Sequence, residues 1–402
     1  MRKSGLLITA LFSLTAYGFA DTPAPSFQVS GYLETGARMI KSNSYFGSGL
    51  YGDLFNDNTA SPGGRFDLIG NYTSGNNGVT FKLRTDENIA TFPATSAYNP
   101  PVVYNAYAWS YLGSQKALML KGGIVSDSSF ATLGDYGFYM LDSAPGVELS
   151  WFPASGWTVA GFMSAPSYQT SSSASYWDNP WFVGLAYASG SFSFNAGWTY
   201  GTTTPNAYGT LGTNSGITGL DNVTASLSYT NGSLFAAAEY CAVNLNNYST
   251  FGYSFFTQKL TYNVGSVTLG VTLYEYLAGD TSAKDAANNK ATMGWHINPF
   301  IDYAVDKVTT LELGATYFAG VQQASINGTT AYLPSSASLS SMTENNQAQL
   351  DIKPRVFFNL ASDTYIAAYY LFSTSVGADK TTFNGTNDSF SNTFGLDLRY
   401  SF

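Results

Sequence analysis

Apolar and polar residues alternate along many short segments of the chain. In the segment VTFKLRTD, Val79, Phe81 and Leu83 share one face of an extended chain, because successive side chains of a strand point to opposite faces. The final segment TFGLDLRYSF keeps the same alternation up to the last residue. A period of two predicts strands rather than helices.

The connections between these segments alternate between short and long. The short ones include residues 74–78, 230–233 and 263–266, which supply Asn and Gly where a tight turn needs positive φ. The long ones are rich in Gly, Ser, Asn and Asp. A barrel with short turns at one rim and long loops at the other produces this alternation. We therefore predict an all-β fold: a transmembrane antiparallel up-and-down β-barrel of 18 strands, with 16 as the alternative count, short periplasmic turns and long extracellular loops.

The first residues predict a secretory signal peptide over 1–20. Arg2 and Lys3 form a basic start, an apolar run follows, and the small residues before Ala20 suit cleavage after that position. A short membrane anchor is the alternative, but the apolar run is too short to span a bilayer. Residues 21–402 are expected to form a single barrel domain.

Composition favours the barrel and narrows the range of functions. Charged residues make up 11% of the chain, against about 25% in an average protein. Losing Arg2 and Lys3 with the signal peptide takes the formal charge from −9 to −11, which argues against a nucleic-acid partner. Cys241 and His296 are the single cysteine and histidine, so we expect no disulfide framework, no His/Cys metal site and no cofactor.

The apolar face of the strands is expected to contact membrane lipid. A barrel of 16–18 strands is too wide for side chains to fill its interior, so the polar face should line a wet lumen. Two positions resist this scheme. Pro299 and Pro354 fall within predicted strands, cannot donate a ladder hydrogen bond, and have no sheet edge to occupy in a closed barrel. They indicate either bulges or a different local register.

The signal peptide, the even set of alternating strands and the closing GLDLRYSF together resemble a Gram-negative outer-membrane β-barrel of the porin type. The resemblance covers the whole mature chain as architecture and points to no subfamily. It implies insertion into the cell outer membrane by the barrel-assembly machinery, with Leu398, Tyr400 and Phe402 as the recognition signal. Porins of this type are often trimers, so a homotrimer is one expectation.

The predicted lumen face carries charges of both signs. The basic residues predicted inward are Arg38, Arg65, Lys82, Arg84, Lys121, Lys259, Lys353, Arg355 and Arg399. The acidic residues predicted inward on the remaining wall are Glu148, Glu239, Glu275, Asp302 and Glu312. Most basic positions fall on the first five and last three strands, which become neighbours when the barrel closes.

A basic arc that faces an acidic arc resembles the eyelet of general diffusion porins. Such an arrangement would set up a field across the pore and orient dipolar solutes. The alternative is local salt bridging that only stiffens the wall, because Glu34, Asp67, Asp351 and Asp397 fall on the basic arc as well.

The third long loop, residues 126–146, occupies the place of the porin loop that folds inward and narrows the channel. By that resemblance Asp127, Asp135 and Asp142 would supply acidic groups at the constriction. The loop is unusually aromatic for a solvated tip, which an inward position would explain. The alternative is a loop that lies on the rim or in a subunit interface.

The sequence thus predicts an outer-membrane porin, a water-filled channel for passive diffusion of small hydrophilic solutes and ions. One alternative is a substrate-specific channel, for example for sugars, in which inward aromatic residues form a stacking track. Those residues are Tyr32, Tyr274, Phe300, Phe318 and Phe357. Another alternative is a plugged structural or adhesin barrel. We expect no enzyme, because His296 is the only histidine available to a nucleophile.

Overall fold

The computed structural model describes fifteen stretches of the chain. They are residues 24–42, 46–53, 60–62, 65–86, 102–125, 130, 144–164, 181–201, 220–243, 253–278, 293–320, 323–326, 329–332, 348–376 and 390–402. The predicted signal peptide lies outside them, as do Asp127, Asp135 and Asp142 of the third loop.

The described residues form 22 strands. They are β1 (Ser26–Ser42), β2 (Phe46–Asp53), β3 (Ala60–Pro62), β4 (Arg65–Ser74), β5 (Asn77–Asp86), β6 (Val102–Leu112), β7 (Leu118–Val125), β8 (Ala144–Trp151), β9 (Trp157–Ser164), β10 (Trp181–Ser189), β11 (Phe192–Gly201), β12 (Leu220–Asn231), β13 (Leu234–Val243), β14 (Tyr253–Val264), β15 (Val267–Ala278), β16 (Met293–Ala304), β17 (Thr309–Gly320), β18 (Gln323–Ile326), β19 (Thr329–Tyr332), β20 (Ala348–Ala361), β21 (Thr364–Val376) and β22 (Phe390–Ser401). Within these ranges no helix is long and apolar enough to cross a membrane.

Eighteen of these strands form a closed antiparallel barrel, which confirms the predicted fold and strand count. Each barrel strand pairs with the next barrel strand along the chain, and β22 pairs with β1 to close the ring. The other four strands are additional to the 18: β2 pairs alongside residues Gly36 to Lys41 of β1, β3 pairs with β2, and β18 pairs with β19 in a separate hairpin.

The seam between β22 and β1 runs almost the full length of both strands. Tyr32 lies opposite Ser401 at one end, and Ser42 lies opposite Ser391 at the other. Beyond the last strand residue, the backbone amides of Phe402 and Gly31 each donate to the other's carbonyl at 3.0 Å. Phe402 therefore takes part in closure.

Side chains on the two barrel faces differ as the alternation requires. On β22, Phe394, Leu396 and Tyr400 are 52–54% exposed, whereas the intervening Asp397 is 6% exposed. Apolar side chains of the other strands are exposed in the same way on this outer face. The outer face is thus the apolar one, and it suits contact with hydrocarbon.

The two strand prolines change the ladders without shifting them. Ladder β16–β17 keeps one register on both sides of Pro299, and ladder β20–β21 keeps one register on both sides of Pro354. Two residue pairs are missing from each ladder at the proline, and both rings are exposed on the outer face. Neither a bulge nor a changed register is present at these sites, because the missing N–H costs only local pairing.

The short turns between consecutive barrel strands are stabilised by their backbone conformation and by side-chain hydrogen bonds. Gly232 and Gly265 adopt φ values of 53° and 60°, which a side chain would disfavour in a two-residue hairpin turn. In the turn between β16 and β17, the Asp306 carboxylate accepts hydrogen bonds from the amides of Thr309 at 2.7 Å and Val308 at 2.8 Å. These bonds to the charged form lower the pKa of Asp306, although its carboxylate is fully exposed.

The Asp306 turn should therefore contribute stability in a pH-dependent way. Because the folded pKa lies below the unfolded one, the contribution is present above about pH 4 and is lost as the pH falls through the folded value. We expect Asp306→Ala to lower the urea midpoint of the detergent-folded barrel at pH 7. The difference from wild type should narrow at pH 2. The neighbouring Lys307→Ala is the control, and an equal loss at both pH values would contradict the assignment.

The C-terminal seam gives a second prediction. Phe402 stacks on Phe66 with ring centroids 6.4 Å apart and on Tyr400 at the same distance. We expect Phe402→Ser to reduce the heat-modifiable, folded barrel in the outer membrane several-fold. If Phe402 mainly signals to the assembly machinery, the same variant should still fold from urea into detergent. Failure in both settings would mean that the ring acts through packing at the seam instead.

Candidate functional site: the charged lumen wall

The inner face of the barrel carries the charged residues in rows that cross the strands. Cross-strand partners share a face, so the register of each ladder assigns the side chains to one side of the wall. The residues predicted inward that the structure places on this face are Arg38, Arg65, Lys82, Arg84, Lys121, Lys259, Lys353, Arg355, Arg399, Glu148, Glu239, Asp302 and Glu312. His296 lies on β16, and its side chain lies outside the described part.

Glu275 is the exception, and the prediction for it is wrong. Glu275 lies directly opposite Phe256 and Trp295, on the same face of β15 as Leu269, which is 46% exposed. The adjacent Tyr274 takes the inner face and is 1% exposed. The ladders of β15 carry no register shift, so strict alternation puts Glu275 on the outer surface.

Asp67 is the centre of a charge cluster on β4 and β5. Its carboxylate accepts two hydrogen bonds from Arg84, at 2.8 and 3.0 Å, and lies 2.7 Å from Lys82 Nζ. Asp67 is completely buried, while the two cations reach the lumen with side-chain exposures of 12% and 17%. The ring of Tyr104 lies 3.9 Å from the Arg84 guanidinium and 4.9 Å from Lys82 Nζ.

Tyr104 was not among the predicted lumen residues, because it breaks the alternation. The β5–β6 ladder shifts register between Lys82 and Leu83, which leaves Tyr104 as the extra residue of a bulge. The shift brings its ring under the two cations. No sequence signal marks a bulge at this point.

A second ion pair lies at the barrel seam. Arg399 on β22 pairs with Glu34 on β1 at 3.3 Å, and its guanidinium lies 4.4 Å from the centre of the Tyr32 ring. The pair therefore links the last strand of the barrel to the first.

Two further pairs join strands elsewhere on the wall. Lys121 pairs with Glu148 at 2.8 Å across β7 and β8, and Glu148 also accepts a hydrogen bond from Ser150. Arg355 on β20 donates from Nε to Glu312 on β17 at 2.6 Å and adds a second contact from its terminal nitrogen. Among the described residues, each of these pairs links neighbouring strands, which is the geometry of the wall-stiffening interpretation.

Two inner aromatic rings lie flat against the wall. The ring of Phe300 covers Gly270, the ring of Tyr369 covers Gly395, and a Cβ at either glycine would overlap the ring. A glycine opposite an aromatic residue lets the ring pack on the backbone of the next strand. The rings therefore take little width from the lumen. Sequence alone does not pair these residues, because the pairing depends on the cross-strand register.

Phe130 is the one described residue of the third loop before strand β8. Its side chain is completely buried and packs edge-on against Phe182, with ring centroids 5.0 Å apart, beside Gly184. Phe182 and Gly184 occupy the inner face of β10. This point of the third loop therefore lies against the lumen wall.

Removing the central carboxylate of the first cluster should change ion selectivity. Asp67→Asn keeps the side-chain shape but leaves Lys82 and Arg84 without its charge. We expect the reversal potential in a salt gradient to move toward anion preference, and stability to fall by about 1–3 kcal/mol, less than for a fully buried pair because both cations reach water. Asp363→Asn, in an exposed turn, is the control. An unchanged reversal potential would show that the cluster does not act on permeating ions.

No protein-family model and no curated protein sequence matches the chain. In the described ranges, no group of three or more His, Cys, Asp or Glu side chains could hold a metal ion.

Solved structures give the comparison that the sequence does not. OpdQ of Pseudomonas aeruginosa matches with a TM-score of 0.52 and 11% identity, covering 94% of this chain and 99% of that one. OpdL of the same organism gives 0.51 and 9%, with the same two coverages, and its OprD gives 0.50 and 11%, with 96% and 97%. These proteins are outer-membrane β-barrels, which confirms the resemblance to a porin-type barrel at the level of the fold.

Proposed function

We propose that this protein is a water-filled channel of the outer membrane through which small hydrophilic solutes and ions diffuse passively. The observation that carries the proposal is the inner face of a closed 18-strand ring, lined by charged and polar side chains. A lumen of this width is not filled by wall side chains. The flat packing of Phe300 and Tyr369 on glycines supports an open bore.

The charge distribution supports a field across that bore. The arc formed by β20–β22 and β1–β7 has eight described inward cations, namely Lys353, Arg355, Arg399, Arg38, Arg65, Lys82, Arg84 and Lys121. The same arc has four described inward carboxylates, namely Asp351, Asp397, Glu34 and Asp67. On β8–β17 the described inward charges are Lys259 against Glu148, Glu239, Asp302 and Glu312.

The pairs across neighbouring strands reduce this imbalance but do not cancel it. We infer that one side of the lumen keeps a positive excess and the other a negative one. The resulting electric field, directed across the lumen from the basic side to the acidic side, would orient dipolar solutes and disfavour apolar ones.

The third loop would narrow the channel from the side of β10. The buried contact of Phe130 with Phe182 supports a loop that enters the lumen and is held at the wall. The predicted acidic groups Asp127, Asp135 and Asp142 flank this point in sequence and would contribute to the constriction.

A sugar-specific channel is the second candidate, and one observation favours it. The Phe300 ring lies flat on the wall beside a polar recess. The side of the ring that faces the lumen is a platform on which a sugar ring can stack. Two other members of the predicted aromatic track contact cations instead. The Tyr32 ring faces the Arg399 guanidinium, and the centre of the Phe357 ring lies 5.0 Å from the Arg355 guanidinium. A continuous stacking track is therefore less well supported than a single platform.

Conductance in planar bilayers tests the proposal directly. We expect the purified barrel to show stable ohmic steps in potassium chloride, because a polar bore of this width conducts hydrated ions. Protein that inserts into the bilayer yet passes no current at any voltage would overturn the channel and favour a plugged structural barrel.

The loop contact gives a separate prediction. Phe130→Ala removes the ring that packs on Phe182, so we expect the third loop to leave the wall. Single-channel conductance should change and current noise should rise. Phe394→Ala, on the outer face, is the matched control. Identical conductance and noise in Phe130→Ala and wild type would show that this contact does not set the constriction.

A further inference from the structure

A recess of about 200 Å³ opens into the lumen from the wall formed by strands β14–β17, β20 and β21. Its volume is far above the 10–15 Å³ that one water needs, so it can hold a small solute. The lining combines a ring, carboxylates and neutral polar groups, notably Phe300, Asp302, Glu312, Thr272, Asn298 and Thr316. The ring, the carboxylates and the neutral polar groups each suit a different group of a ligand.

The floor of the recess is flat and open. Phe300 lies over Gly270 on one side, and the neighbouring Gly314 lacks a side chain. A Cβ at Gly314 would meet only Lys353 O at 3.8 Å and Glu312 Oε1 at 3.9 Å, so the space above it is empty of protein. A flat apolar ring beside open space accepts the apolar face of a pyranose.

One side of the recess carries two carboxylates that a cation would stabilise. Asp302 lies directly opposite Glu312, and like charges at such a pair of positions repel. Arg355 binds Glu312, whereas Asp302 Oδ1 is shielded from solvent with no hydrogen-bond partner among the described residues. Buried acceptors in proteins are normally paired, so an ammonium at Asp302 would both satisfy the oxygen and separate the two carboxylates.

The opposite side offers neutral hydrogen-bonding groups. Thr272 lies directly opposite Asn298, and Thr316 also lines the recess. Hydroxyl and amide groups both donate and accept, which suits the hydroxyls of a sugar. The side chains of Lys259, Lys353, Arg355 and Asp351 also line the recess, so its charged groups are of both signs.

We propose that this recess binds amino sugars as they pass through the lumen. The pyranose stacks on Phe300, its ammonium group contacts Asp302, and its hydroxyls bond to Thr272, Asn298 and Thr316. The site deepens the proposed channel function and depends on it, because a solute reaches the recess only through an accessible lumen.

The test compares three sugars of similar shape on the full-length barrel in planar bilayers at pH 7. Glucosamine carries the ammonium, whereas glucose and N-acetylglucosamine are neutral. A hydrogen bond to a charged group corresponds to roughly tenfold or more in affinity. We therefore expect half-maximal block of the ion current at a glucosamine concentration at least about tenfold lower than for either neutral sugar.

Two variants locate the effect. Asp302→Asn should bring glucosamine to the level of glucose while ion conduction persists. Gly314→Leu should fill the recess and weaken block by all three sugars. Ala186→Leu adds similar volume to the inner face of β10 and should leave the preference intact.

The outcomes separate the site from the channel. Equal block by the three sugars, or a preference that survives Asp302→Asn, overturns the site and leaves the channel standing. A barrel that does not conduct overturns the channel instead. Saturation-transfer NMR on the detergent-solubilised barrel then decides the site: transfer to glucosamine that Asp302→Asn removes supports it, and no transfer overturns it.

Discussion

The whole structure depends on one constraint: inside hydrocarbon, every backbone N–H and C=O must find a partner within the protein. A sheet meets that constraint only if it closes, and here closure falls to the pairing of β22 with β1. The pairing continues beyond the last residue of β22, where Phe402 and Gly31 exchange backbone hydrogen bonds. The two prolines show how far the constraint can be relaxed, since each removes only a local part of one ladder.

Closure also fixes which face meets water, and the charged lumen follows from it. Once the apolar positions face outward, the intervening residues share the interior of the barrel, and charges there find partners on the adjacent strand. Asp67 collects two cations in this way, and Glu34 links the first strand to Arg399 of the last. The same residues stabilise the wall and, in the proposed channel, would shape the potential of the bore, because Lys82 and Arg84 remain partly exposed.

The alternation of residues was enough to predict the barrel, its strand count and the face of most wall residues, because a period of two is a local property that closure preserves. It failed where the periodicity was misapplied or locally broken. Glu275 follows strict alternation onto the outer surface, next to Phe256 and Trp295, despite its charge. Tyr104 enters the lumen through a bulge that no residue pattern announces. The recess around Gly314 and the contact of Phe130 depend on cross-strand register and on loop packing, which one sequence does not contain.

The rings that lie on glycines have a mechanical consequence. Phe300 on Gly270 and Tyr369 on Gly395 each match a bulky residue on one strand to a missing side chain on the next. A slip of two residues along either ladder keeps every side chain on its proper face, yet drives the ring into a Cβ or leaves the glycine bare. The alternation of apolar and polar residues does not distinguish the native register from one shifted by two residues. These ring–glycine pairs do, and they therefore help to fix the register. When the barrel is pulled apart from its C-terminus, the β21–β22 and β15–β16 ladders should yield in discrete force steps at these pairs.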